Sequence, residues 1–287
     1  MRHVITLTSI PPRFHAIGPA LKALLAQTSR PEAVELYIPR SYRRFPQWSG
    51  SLPDVPEGVR IVRVEEDLGP ATKILPAARS YRGQDIELLY VDDDRFLERD
   101  WAQTSLDLRK RFPGTAICAA SFPVSNCGFD WVAPHPLPRS IQRSVDQIHW
   151  FNLLTKLREG LLPRYFSGEK LTRWLQIVET SGYTDVAEGL AGVMVRPEFF
   201  DDSAFDIPPV LWSVDDVWLS GHLARKGIPI WVEKDLLKAS HVGKVTVIFP
   251  LYKAVLDGAD RKDANRACVD YMRKTYGIWG GTASQAT

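Results

Sequence analysis

Residues 86–96 read IELLYVDDDRF, Ile86 to Phe96. Ile86, Leu88, Leu89, Tyr90 and Val91 form a short, nearly continuous apolar and β-prone run, which predicts a strand buried on both faces in a parallel sheet. The run stops abruptly at Asp92, Asp93 and Asp94. In a parallel sheet, ligands bind beyond the carboxyl ends of the strands, so carboxylates placed there are presented to a ligand and not to the core. Alternation sends Asp92 and Asp94 to one side and Asp93 to the other. Two like charges converging on one small volume repel unless a cation sits between them, and clustered carboxylates with water and phosphate oxygens suit Mg²⁺ or Mn²⁺. The alternative is a solvated acidic turn, because Asp is a common turn former.

With 287 residues the chain is long enough for one large α/β domain, or two small ones, with a sizeable core. Its 45% hydrophobic and 24% charged residues are ordinary for a soluble protein. A net charge of +2 gives no reason to expect a nucleic-acid partner. Local basic clusters occur at Arg40, Arg43 and Arg44, at Arg109 to Arg111, and at Arg139 and Arg143, and such clusters are mostly solvated faces. Cys118, Cys127 and Cys268 have neither CxxC spacing nor an even count, which fits reduced thiols in a cytosolic protein. The apolar start of the chain is interrupted by Thr6, Thr8 and Ser9 and closed by two prolines, so it reads as a first strand and not as a signal peptide. No stretch approaches the ~18 uninterrupted apolar residues of a membrane span. The expectation is a cytoplasmic protein, with peripheral contact at the inner face of the membrane as an option.

The first half alternates between strands and helices. Val4 to Leu7 reads as a strand and Thr8 to Arg13 as the loop at its carboxyl end. Ile17, Leu21, Leu24 and Leu25 fall at helical spacing, giving a helix over Ala16 to Gln27. Val34 to Ile38 and Val59 to Val64 are further strands, separated by a long Arg-, Pro- and Gly-rich loop of the functional or mobile kind. After Asp67, Pro70 suits the first turn of a helix running to about Tyr81, whose N–H groups point beyond the sheet, with Lys73 beside them. This β-α-β pattern predicts a doubly wound, mostly parallel α/β sheet with helices on both faces. A helix from Trp101 to Phe112 and a strand from Ala116 to Ser121 continue it. Two amphipathic stretches, Val145 to Leu162 and Glu169 to Thr180, then predict a helical insertion over the open end of the sheet; their basic and aromatic residues suggest a membrane surface as the alternative to a core.

A second acidic site stands in the last third. Gly189 to Val195 is a small-residue turn entering a strand, where a ligand can approach the backbone. Asp215 and Asp216 open a helix running to about Lys226, with Ser213 as its candidate cap. Acidic residues in a first helical turn are also favoured by the helix dipole alone, so plain capping is the alternative. Ile228 to Val232 is another strand, and His241 a lone histidine in a polar loop.

Taken together, the Ser/Thr-Ile-Pro-x-Arg loop, DLGPATKILPA, the strand ending in DDD, the Gly-rich strand entry, the DDVWL helix start and the late His resemble a bacterial nucleotide-sugar glycosyltransferase of the GT-A fold, family 2-like, over roughly residues 3 to 245. The order of the parts is more specific than any one of them. The resemblance implies a Mn²⁺ or Mg²⁺ ion bound by Asp92 and Asp94, completed by His241, with Asp92 and Asp93 toward the donor. It implies nucleotide-sugar contacts from Thr8, Ser9, Arg13, Asp67 and Lys73, and a catalytic base at Asp216 with Asp215 orienting the acceptor. The implied partners are a nucleotide-sugar donor, with a UDP-sugar first, and a saccharide or lipid-linked saccharide acceptor. One GT-A domain is expected: a nucleotide-sugar-binding half over residues 1–121, the helical insertion over 122–184, an acceptor and catalytic half over 185–245, and a C-terminal helical tail over 246–287.

Those residue types suit the reaction. Departure of a nucleoside diphosphate builds charge on phosphate oxygens, which a metal with Lys73 or Arg13 neutralises, while a carboxylate on the opposite side takes the acceptor proton. A sugar nucleotidyltransferase needs a Gly-rich loop after the first strand, and the Thr8–Arg13 loop has no glycine. A phosphatase of the Asp-x-Asp type wants Thr or Val where Phe96 stands. A non-catalytic carbohydrate-binding module leaves the pair of acidic sites unexplained.

Overall fold

The computed structural model describes residues 1–144, 176–236, 240–241, 248–249 and 261–281. In chain order the first half holds β1 (His3–Thr8), α1 (Gly18–Leu25), β2 (Ala33–Pro39), β3 (Val59–Val64), α2 (Leu75–Ser80), β4 (Glu87–Tyr90), β5 (Arg95–Phe96), α3 (Trp101–Arg111), β6 (Ala116–Cys118) and β7 (Ser121–Phe122). The second half holds β8 (Ile141–Ser144), β9 (Gln176–Thr180), β10 (Gly182–Thr184), β11 (Val186–Ala187), β12 (Val193–Val195), α4 (Asp215–Arg225), β13 (Ile230–Val232), β14 (Ser240–His241) and α5 (Arg261–Tyr276).

Eight strands make the central sheet in the order β10-β13-β6-β12-β4-β1-β2-β3. From β3 through β2 and β1 to β4 every pairing is parallel, and β6 with β13 is parallel too. The strand β12 runs antiparallel to both β4 and β6, and β10 antiparallel to β13. The result is a mixed, mostly parallel sheet in an α/β fold.

Strand alternation explains the layers. Val4, Leu88, Tyr90, Val193, Val195, Ile230 and Val232 face one core, shared with Leu75, Ala77 and Ala78 of α2, Val217 to Leu223 of α4, and Val269 and Met272 of α5. Their neighbours Ile5, Leu7, Leu89, Met194 and Trp231 face the other, shared with Leu21 and Leu24 of α1 and with Trp101, Ala102 and Leu106 of α3. The central run from Ile86 to Val91 is buried throughout, as a strand enclosed on both faces must be.

The structure corrects several local expectations. The helix expected after Pro70 is broken into a 3₁₀ turn, Gly69–Lys73, and the short α2, because Pro76 supplies no N–H to continue a single ladder. Lys73 therefore ends a 3₁₀ turn and does not sit in the first turn of a long helix. The strand expected to run to Ser121 stops at Cys118, and Ser121–Phe122 pairs separately with β11. Thr180, expected to end a helix, ends β9, which pairs antiparallel with β8. The stretch Val145 to Leu162, and Glu169 to residue 175, lie outside the described residues. Ser213 is not the cap of α4: Val214 holds that position, with no side-chain cap. Among the described residues no helix is long and apolar enough to cross a membrane.

One glycine pins the entry to β12. Gly192 has φ +89°, and a Cβ there would lie 2.1 Å from Cζ2 of Trp101. A side chain at that position is strained in backbone and overpacked at once. Gly192→Ala is expected to lower unfolding free energy by about 1–3 kcal/mol from strain, with overpacking added. Urea unfolding checks this; a variant as stable as the wild type would show that the β12 entry does not depend on the Trp101 approach.

Candidate active site

At the carboxyl edge of the sheet the acidic segments meet around one buried ammonium. The Nζ of Lys73 donates to Asp92 Oδ1 at 2.6 Å. It also lies 2.8 Å from Asp215 Oδ2, in full Coulombic contact though not aligned as a hydrogen bond. Lys73 and Asp215 are both buried. Burial works against the lysine's charge, but Asp215 and Asp92 push it well above the ordinary lysine value. Against its own burial, Asp92 is in turn held below the usual carboxylate range by Lys73. The ammonium sits 5.6 Å from the centroid of the Tyr90 ring, and a Cβ on Gly189 would come within 2.3 Å of it. The fit leaves no room for a side chain at Gly189.

Asp216 is fixed from two sides. The backbone N–H of Gly189 donates to Oδ1 at 2.9 Å, and Nη2 of Arg261 donates to Oδ2 at 3.0 Å. Burial first, then the adjacent Asp215, push this carboxyl up to about 6 against the pull of Lys73 and Arg261. Asp215 and Asp216 thus direct their side chains at Lys73, Gly189 and Arg261, and the capping alternative does not describe their use. Placement in a first helical turn adds only a modest dipole benefit.

The other residues expected at the site fall into two groups. Asp93 points to Ser9 and Arg13: Ser9 Oγ donates to its Oδ2, and Arg13 Nη1 donates to its Oδ1 at 2.6 Å. The Nε of Arg13 also donates to the carbonyl of Ile248 at 2.9 Å. Asp94 lies 3.4 Å from Nε of Arg95. His241 stands opposite Arg95 in the β14–β5 pairing, so its backbone is beside the triple-Asp turn. By contrast, Thr8 Oγ1 donates to the carbonyl of Tyr37 at 2.8 Å, tying β1 to β2. Asp67 accepts from the backbone N–H groups of Arg43 at 2.8 Å and Gly69 at 2.9 Å, so its carboxylate shapes its own loop. Trp212 Nε1 donates to the Asp67 carbonyl at 2.8 Å, with Arg43 over the Trp212 ring.

Among the described residues no group of three or more His, Cys, Asp or Glu side chains is arranged to hold a metal ion. Mg²⁺-like ions are usually held by one or two carboxylates with water and phosphate oxygens completing the shell. Asp92 and Asp94 are of the right chemistry for that smaller donor set: Lys73 occupies Oδ1 of Asp92 and leaves its second oxygen, and the side chain is 36% exposed.

Two further ionisable groups lie beside Asp216 without a sequence motif to mark them. Glu188 immediately precedes the Gly189 turn, where alternation after β11 gave no sign of its direction. Part of its surface reaches solvent, yet burial and then Asp216 push its carboxyl up to about 8. Arg261 belongs to a helix with no motif, and only the fold brings it to Asp216.

No family model matches the sequence, and no curated protein matches it. Among solved structures, residues 1–349 of TarS from S. aureus, in complex with UDP, are similar to this chain at 12% identity and a TM-score of 0.40, with 97% of this chain and 72% of that chain covered. A likeness of that size carries no weight for the chemistry of the site.

Glu188 makes stability depend on pH. Its folded carboxyl keeps a proton up to about 8, whereas its ordinary value is 4.5, so the folded chain binds more protons than the unfolded one across that window. Stability therefore falls as pH rises through the window and levels off above it. Glu188→Gln is expected to remove this slope and to gain on the wild type most at pH 9. Melting temperatures of both proteins from pH 5 to pH 9 check it; a constant difference across the range would rule it out.

Proposed function

We propose that this chain is a metal-dependent glycosyltransferase that moves a sugar from a nucleoside-diphosphate donor to a hydroxyl acceptor with inversion. The observation that supports it most is the meeting of two acidic segments remote in sequence, Asp92 and Asp215–Asp216, across the buried Lys73 at the carboxyl edge of the sheet. That edge is where α/β sheets take ligands, and two carboxylate groups in different environments suit one binding and one proton-transfer task. A solvated turn and a capped helix would not need to share a buried ammonium.

In this reading Asp92 and Asp94 would hold a divalent ion, which would offset charge on the diphosphate as it leaves. Lys73 keeps Asp92 charged and bridges it to Asp215. Arg13 and Ser9 turn Asp93 aside and brace the triple-Asp turn. The acceptor hydroxyl attacks the sugar's anomeric carbon as the bond to the diphosphate oxygen breaks, and its proton passes to Asp216. Asp215 is bound to Lys73 and serves the site by position. The diphosphate contact expected of Lys73 would require the ammonium to leave one of its two carboxylates, so anion contact falls first to Arg13. The donor is a nucleotide sugar, with a UDP-sugar as the first to test, and the acceptor a saccharide or a lipid-linked saccharide, as in polysaccharide or glycoconjugate synthesis.

Two variants test the division of labour. Asp94→Asn keeps shape but removes charge, and is expected to weaken Mn²⁺-dependent UDP binding strongly; calorimetric titration with UDP and Mn²⁺ checks it, and unchanged binding would remove Asp94 from the metal site.

Asp216→Asn is expected to leave UDP affinity nearly intact while lowering turnover ~10²–10⁴-fold, the usual worth of general base assistance. Wild-type turnover should fall as pH drops through about 6, where Asp216 takes up its proton. Affinity, melting temperature and product formation measured on one sample decide it: a loss of stability with unchanged turnover would mean a structural carboxylate.

A further inference from the structure

Helix α5 is packed on α4 through large side chains. Met272 sits against Gly221, where an added Cβ would lie 2.8 Å from its Cγ. The Tyr271 ring lies 5.9 Å from Trp218, and the Tyr276 ring 5.6 Å from His222. Arg225 stacks over Tyr276 at 5.2 Å. Ala264, Cys268, Val269 and Met272 are buried in the same core as Val217, Trp218 and Leu223. Such packing fixes the two helices as a unit, since a close-packed interface does not slide continuously.

The unit brings one cation to Asp216. The acidic groups around that carboxylate are Asp215 on its own helix, Asp92 after β4 and Glu188 after β11, with the Tyr90 phenol on β4. Among the described residues, the cations that act most on it are Lys73 from the 3₁₀ turn and Arg261 from α5. Lys73 is already shared between Asp92 and Asp215. Arg261 is the cation that donates directly to Asp216, and it feels Asp215, Asp92 and Glu188 as well.

We infer that Arg261 is a positioning residue for Asp216: the packing of α5 on α4 holds its guanidinium on Oδ2, opposite the Gly189 N–H on Oδ1, so that the carboxylate is fixed in plane and kept charged among its acidic neighbours. The planar fork of an arginine suits this better than a lysine, whose ammonium is a rotating point charge. Where Asp216 is the base, as in the function proposed above, α5 becomes part of the active site through Arg261. A C-terminal helix then sets the pH range in which the reaction runs. The positioning itself is a property of the folded chain and is measurable without any substrate.

Carbon-13 NMR of the Asp carboxyls in the full chain tests it, with the Asp216 resonance assigned by its loss in Asp216→Asn. In Arg261→Gln the Asp216 midpoint is expected to rise by roughly one pH unit or more, the usual effect of removing an adjacent opposite charge. Arg261→Lys is expected to show a smaller rise, and it serves as the test if Arg261→Gln folds poorly; melting temperatures show that the samples are folded. An Asp216 midpoint that stays at its wild-type value in a folded variant overturns the inference. The acid limb of UDP-glucose turnover with Mn²⁺ reports separately on the proposed function. A midpoint that moves without the limb supports positioning by Arg261 and removes Asp216 as the base.

Discussion

A single buried ammonium holds the carboxyl edge of this sheet together. Lys73 has almost no exposed surface, and its charge is balanced by Asp92 at the end of β4 and Asp215 at the start of α4. Taking Lys73 away would leave the buried Asp215 without this cation, a change typically worth several kcal/mol. The constraint is mutual. The β4 end, the 3₁₀ turn and the α4 start are thereby tied to one another through one side chain.

From that link the site spreads outward as a set of assigned pairs. Asp93 is turned to Ser9 and Arg13, Asp94 lies by Arg95, and Asp216 lies between the Gly189 N–H and Arg261. The acidic residues are thus mostly paired within the protein itself, Asp92 and Asp215 with the shared Lys73 and Asp93, Asp94 and Asp216 with Arg13, Arg95 and Arg261. This sorts five neighbouring carboxylates into distinct environments. Asp92 is held low by Lys73, whereas burial among like charges lifts Asp216 and Glu188. Environment, not residue type, separates a carboxylate that binds a cation from one that takes up a proton near neutrality.

The second half of the chain completes this edge by folding back. The strand β12 enters the sheet antiparallel between β4 and β6, and its preceding turn lies beside Asp92, with Asp92 N–H 3.3 Å from the Gly189 carbonyl. The same turn supplies the N–H that meets Asp216. Gly189 is therefore common to both acidic segments. Helix α5 closes the arrangement from behind α4, on the core face opposite α1 and α3.

The sequence by itself determined the alternating strands and helices of the first half, the buried run from Ile86 to Val91 and the position of the acidic turn after it. Those features are local: they follow from apolar periodicity, from prolines and glycines, and from an abrupt change to charge. It also placed Asp215 and Asp216 at a helix start, because a first helical turn has a recognisable composition. Only the tertiary structure decided which cation each carboxylate meets. Lys73 read as a helix-start lysine aimed at an anion, yet Pro76 breaks that helix and the fold turns the ammonium between two remote aspartates. Glu188 and Arg261 had no local signature, since a proton held at neutral pH and a guanidinium on a distant carboxylate arise from burial and Coulomb attraction. Those forces depend on distance in space, which no spacing along the chain records.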